Sequence, residues 1–204
     1  MVAKLVDKNQ KRRDIARAAM DVFSERGFDA TSMSLVAGAA GVGKGTIYEY
    51  FESKDEMIAA AILIWIEDLI EGARTLSQQI EDPELRLRTF VKETMTEFTK
   101  DQSAIQTSIS VFQVLLSNLD NSKWFDPIQS AYKDIWGTIV QIIMDGKEKG
   151  VFNIDDQREA EKSAINLLAF LDGICLHYYA TGGQFDLMEQ VDHYMLYLLE
   201  ASLK

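Results

Sequence analysis

At 204 residues the chain is long enough for one or two domains with a substantial core, and 47% hydrophobic residues is ordinary for a globular protein. Its formal charge of −11 argues at first against nucleic acid, and its single cysteine excludes an intramolecular disulfide. Two prolines and little strand-like alternation leave an all-helical fold as the expectation.

The charge is unevenly placed. Residues 1 to 56 hold nine Lys/Arg against nine Asp/Glu, so the whole acidic excess lies beyond them. Lys4, Lys8, Lys11, Arg12, Arg13 and Arg17 face only Asp7 and Asp14 in the first 17 residues. This reads either as a basic arm on a neutral head or as a solvated tail. No apolar stretch follows these residues, so no signal peptide is expected. The most apolar run, from Ala59 to Ile66, is too short to span a bilayer, and a cytoplasmic, membrane-free protein is the default.

Ile15, Ala18, Ala19, Val22 and Phe23 form one face of a helix from about Gln10 to Arg26, with Gly27 placed to end it. Thr31 and Ser32 offer caps for a second helix running through Ala40, and Gly41 marks a tight turn before a third from about Lys44 to Tyr50. Ser53 and Glu56 fit a capping box that starts a fourth helix at Lys54, expected to reach Arg74. Pro83 suits the first turn of a fifth, to about Asp101. A sixth is expected from Ser103 to Leu119 and a seventh from Trp124 to Lys149. The last two are expected over Gln157 to Ala180 and Leu187 to Ser202. The architecture is therefore all-α with about nine helices: a three-helix head over residues 1–53 and a helical bundle over 54–204.

Gly38, Gly43 and Lys44 match the first seven positions of a phosphate-cradling loop, but Gly45 stands where a Ser or Thr must ligate magnesium, and no strand is expected before Gly38. A nucleotide-binding enzyme is thus the weakest reading. The same stretch reads better as a helix-turn-helix. Ala37, Ala40 and Val42 let two short helices cross closely, while Ile47 and Phe51 face inward. Lys44, Gly45, Thr46, Tyr48, Glu49 and Tyr50 are then left outside, with lysine able to reach guanine or phosphate and the hydroxyls suited to phosphate. A helical hairpin with incidental polar residues, as in a protein-binding adaptor, is the alternative.

The run from Gly27 to Ile58, GFDATSMSLVAGAAGVGKGTIYEYFESKDEMI, closely resembles the DNA-binding head of the TetR (tetracycline repressor) family. The resemblance implies a homodimeric transcriptional regulator, usually a repressor, whose C-terminal domain binds a small effector and releases a palindromic double-stranded operator. It puts Ser34, Lys44, Gly45 and Glu49 near bases and Ser32, Thr46, Tyr48, Tyr50 and Lys54 near phosphates. Gly43 departs from the serine common at that position, and Glu49 from the common histidine.

Apolar residues on the last two helices exceed the needs of one face. Leu167, Leu168, Leu171, Cys175, Tyr178, Val191, Tyr194, Met195 and Leu198 are the candidate dimer interface, with packing inside a monomer left open. The resemblance implies a four-helix interface there. Trp65, Met95, Phe98, Phe112, Trp136 and His177 are candidates to line a pocket for a largely apolar effector. On pattern alone, a residue of this kind at helical spacing is more often core than ligand contact. The two histidines lack neighbours at metal-ligand spacing, so neither a metal nor another cofactor is expected.

Overall fold

The computed structural model describes residues 7–99, 116–117 and 122–202, which form eight α-helices and no strand among the described residues. They are α1 (Lys8–Ala30), α2 (Met33–Ala39), α3 (Lys44–Tyr48), α4 (Lys54–Gln78), α5 (Pro83–Thr99), α6 (Ser122–Glu148), α7 (Gln157–Ala180) and α8 (Leu187–Ser202). The helix expected from Ser103 to Leu119 lies outside the described residues, apart from positions 116–117.

Local chemistry explains most helix boundaries. Asp7 opens α1 by accepting from the amides of Asn9 and Gln10, at 2.9 and 3.4 Å. Gly27 breaks its regular course at φ 77°, a conformation an L side chain resists, and one further turn follows to Ala30. Thr31 does not cap α2, contrary to expectation. Its buried hydroxyl donates to the Gly27 carbonyl at 2.8 Å, leaving Ser32 alone to accept from the Leu35 amide. Aspartates open α5, α7 and α8 in the same way: Asp82, Asp156 and Asp186 accept from Leu85, Glu159 and Glu189 amides at 2.7 to 3.0 Å. Helix α4 runs a turn beyond Arg74, because nothing before the Pro83 region breaks it.

Contacts divide the chain into two compact units, with breaks after Asp68 within α4 and after Gln129 within α6. In the first, Ile15, Ala19 and Phe23 of α1 are fully buried, as are Val36, Ile47, Ile58 and Ile62. In the second, Leu87, Phe90, Ile139, Ile143, Ala164, Leu167, Val191 and Leu199 are buried. Gly146 permits a close approach at the end of α6, since a Cβ there would lie 2.0 Å from the buried Phe152 ring.

Candidate nucleic-acid interface

The turn between α2 and α3 is made by Gly41 at φ 62°, and the Val42 amide donates back to the Ala37 carbonyl at 3.0 Å. This closes the two short helices into one unit. Helix α3 has five residues and buries one, Ile47, whose carbonyl also accepts from the Phe51 amide at 3.0 Å. Phe51 is itself 1% exposed, so the inward face rests on these two side chains. Their spacing turns Lys44, Gly45, Tyr48 and Glu49 outward. All four are exposed, with Tyr48 at 52%.

The other candidate contacts differ in freedom. Ser34 is exposed, whereas Ser32 is exposed but spends its hydroxyl on capping α2. Thr46 and Tyr50 are half-buried. Lys54 is also half-buried, with Nζ donating to the Asp29 carbonyl at 3.3 Å and lying 4.3 Å from the Phe28 ring centroid. The Gly43 amide end of α3 has no side-chain cap. No strand precedes Gly38 among the described residues, which removes the phosphate-loop context.

The reading of a basic N-terminal arm needs correction at its three arginines. Arg12 pairs with Glu56 at 3.3 Å and covers the Phe51 ring at 4.6 Å. Arg13 reaches Glu67 and Asp68, each at 2.9 Å, and Arg17 grips Asp68 through two bonds of 2.8 and 3.0 Å. The Arg17 hydrogen bond holds the Asp68 carboxyl below its usual range, and the same bond raises Arg17. These three arginines tie α1 to α4 rather than standing ready for phosphate. The partners lie some fifty positions away, beyond the reach of a local charge count. Ser53 and Glu56 cap α4 as expected on one side, Ser53 Oγ accepting from the Glu56 amide at 3.1 Å. The glutamate instead takes the Glu52 amide at 2.7 Å, one residue earlier than a closed box.

In the last two helices the structure redistributes the candidate interface. Leu167, Leu171, Val191, Met195 and Leu198 are buried within the single chain, while Leu168, Cys175, Tyr178 and Tyr194 are half-buried. Tyr194 stacks on Phe170 with centroids 3.8 Å apart. The exposed apolar residues are instead Ile165, Leu176, Tyr179, Leu196 and Tyr197, which the sequence reading passed over. Buried and exposed apolar residues interleave along α7 one or two positions apart, so composition alone does not separate them. Burial raises the Cys175 thiol to about 12, with Asp172 adding to it, and raises the Asp172 carboxyl to about 6.

The six candidate pocket residues are scattered. Met95 is buried, Trp65 and Trp136 are half-buried, and His177 is exposed with its ring 6.2 Å from that of Phe185. Phe112 and the side chain of Phe98 lie outside the described residues. Trp136 Nε1 is buried without a hydrogen-bond partner among the described residues. None of the six lines the open groove described in the second unit, which is bounded by polar residues of α4, α5 and α6. The groove residues were not singled out from sequence, because they are separate charges on three helices with no motif joining them.

A tight turn, a buried Ile47 and an outward face of Lys44, Gly45, Tyr48 and Glu49 give the geometry of a helix-turn-helix, the unit of a class of DNA-binding proteins. The profile of bacterial regulatory proteins of the tetR family matches residues 15–61, which contain this unit. Residues 15–61 thus carry a tetR-family DNA-binding head, and the relatives that the chain matches along most of its length are transcriptional regulators rather than enzymes. The chain is similar to the HTH-type transcriptional repressor KstR2 of Rhodococcus jostii, 22% identical over 95% of this chain and 91% of that one. The fold matches that of the fatty acid degradation regulator FadR from Bacillus halodurans, at 24% identity and TM-score 0.74 over 94% and 95% of the two chains. It also matches FadR from Bacillus subtilis in complex with stearoyl-CoA, at 19% identity and TM-score 0.69 over 94% and 98%. No helix among the described residues is long and apolar enough to cross a membrane.

Proposed function

We propose that this regulator is a cytoplasmic homodimeric repressor that binds a palindromic operator and is released from it by a small, largely apolar effector. The observation that carries the reading is the outward face of α3, where Lys44, Gly45, Tyr48 and Glu49 are exposed around the buried Ile47. Residues 1–53 act as the DNA head, with Ser34, Lys44, Gly45 and Glu49 at base edges. Ser32, Thr46, Tyr48, Tyr50 and Lys54 attach to phosphates. Residues 54–204 carry dimerisation and effector binding.

A two-fold dimer would set two recognition helices about 34 to 36 Å apart to meet successive major grooves. The exposed Ile165, Leu176, Tyr179, Leu196 and Tyr197 support α7 and α8 as that dimer face. The stearoyl-CoA of one structural neighbour supports an effector with a long apolar part. The unpartnered N–H of Trp136 supports a site near α6, since a ligand acceptor would satisfy it. The effector would act by preferring the state that cannot hold DNA, with α4 carrying the change from Lys54 onward.

Gel shifts with the DNA flanking the protein's own gene test the reading. A specific complex that weakens steeply with salt and disappears with the effector is expected. Absence of a specific shift at moderate salt would sink it and favour a protein-binding adaptor.

A further inference from the structure

The open groove of about 560 Å³ in the second unit is lined by Arg74, Ser77 and Gln78 of α4, Arg86 of α5, and residues of α6 from Lys133 to Asp145. The chain carries a formal charge of −11, with its acidic excess beyond the head. Three cations gathered around one groove therefore run against the local charge.

The two carboxylates of the lining do not balance them equally. Asp145 is consumed on both oxygens: Oδ2 accepts from Arg86 Nη1 at 2.9 Å and Oδ1 from Gln141 Nε2 at 2.9 Å. Asp134 is exposed. Arg86 is further fixed by Nε donating to the Ile80 carbonyl at 2.7 Å. Arg74 is braced by Nη2 donating to Thr138 Oγ1 at 2.9 Å and by Nη1 to Glu71 at 3.2 Å. Two guanidinium groups are thus held in place before any ligand arrives. Among the described residues, Arg74 Nε, Arg86 Nη2 and Lys133 Nζ have no hydrogen-bond or ion-pair partner. Gln78 adds a neutral donor, whereas the buried Ser77 hydroxyl already donates to the Arg74 carbonyl at 3.1 Å. Fixed arginine forks beside an exposed lysine suit a multivalent oxyanion, and phosphate oxygens match that donor set.

We propose that this groove is a binding site for a phosphate-bearing anion, with Arg74, Arg86 and Lys133 as its cationic contacts. The inference goes beyond the proposed function, because it requires neither DNA nor the effector that releases it. Three cationic contacts around one groove exceed what a single phosphate engages, so a diphosphate, free or attached to a larger molecule, is the expected occupant.

Titration calorimetry and thermal melting of the full chain with inorganic phosphate, pyrophosphate and coenzyme A test it, against sodium chloride at matched ionic strength. Pyrophosphate binding at one site per chain, with a melting rise that chloride does not reproduce, is expected. Lys133→Glu and Arg74→Gln should each weaken it about tenfold or more. Lys133 is exposed, so its variant keeps the fold, and circular dichroism checks this for both. Coenzyme A binding more tightly than pyrophosphate would assign the site to a phosphorylated headgroup, and equal affinities to the free anion. No binding beyond the chloride control, or binding indifferent to both substitutions, overturns the proposal. A gel shift that survives that result would leave the operator reading intact.

Discussion

Helices α3 and α7 divide their surfaces in opposite ways. Helix α3 buries Ile47 alone and shows a lysine, a glycine, a tyrosine hydroxyl and a glutamate to solvent. Helix α7 buries Ala160, Ser163, Ala164, Leu167 and Leu171, yet still leaves Ile165, Leu176 and Tyr179 uncovered. A polar outer face can exchange water for phosphate and base edges without first losing apolar burial. An apolar outer face on a helix that already has a core is incompletely buried surface, and a second protein surface suits it.

The sharpest way to break this contrast is to cut α7 on each side. Leu167→Ala removes a side chain with no exposure and should cost about 2–5 kcal/mol in urea unfolding, with a cavity contributing to the loss. Leu176→Glu changes a side chain that is 53% exposed, and should leave helix content unchanged while shifting sedimentation from dimer to monomer. If the second variant unfolds like the first, Leu176 belongs to a core and the outward apolar face is misassigned.

Asp172 stands at the boundary of these two faces, half-buried beside the buried Leu171. Burial lifts its folded pKa from 3.8 to about 6. Between those values the unfolded chain has released a proton that the folded chain retains, so stability falls as pH rises through this window and is level above it. The loss amounts to at most about 3 kcal/mol. Asp172→Asn should therefore raise the melting temperature at pH 7.5 and flatten the decline between pH 4 and 6. An unchanged decline in the variant would assign it to other carboxylates. Asp68 acts in the opposite sense, its lowered carboxyl losing its contribution as pH falls through the acid range.

The contrast also explains what was legible in the sequence. In α3, one inward residue in a five-residue helix fixes the rotation of all the others, so the periodicity from Ile47 to Phe51 was enough to turn Lys44 and Tyr48 outward. In α7 and α8, Leu167 and Leu176 are chemically identical, and only the neighbours folded against them decide which is covered. The arginines of α1 failed for a related reason. Their partners on α4 are far along the chain, and the local surplus of positive charge was real but already committed. The groove around Arg74 and Lys133 had no signal at all, being assembled from three helices after folding.

On α3 itself the expected effects are smaller. Lys44→Ala should weaken operator binding by roughly 1–3 kcal/mol if the lysine reads a base, and relax selectivity at one position. If it contacts phosphate alone, the loss should be similar on all sequences and the salt slope should fall by about one. Gel shifts on operator and scrambled DNA over a salt series distinguish these. A loss matched by a lower melting temperature would mean that Lys44 supports the fold rather than the interface.

The smallest change tests whether α3 is braced by its own cap or only by Ile47 and Phe51. Gly43 precedes the helix with extended backbone, φ −69° and ψ 149°, which serine adopts without strain. A Cβ at that position would meet only Thr46 Oγ1, at an ordinary 3.8 Å. Gly43→Ser would then offer a hydroxyl to the uncapped amides and remove glycine's freedom from the unfolded chain, together worth a few tenths of a kcal/mol or more. A slightly higher melting point is expected. Because the cap leaves Lys44, Tyr48 and Glu49 in place, operator affinity should be unchanged or modestly improved. A clear loss of DNA binding with the stability gain would show that the open turn at Gly43 lets the backbone approach DNA closely, so that glycine serves the interface and not merely the turn.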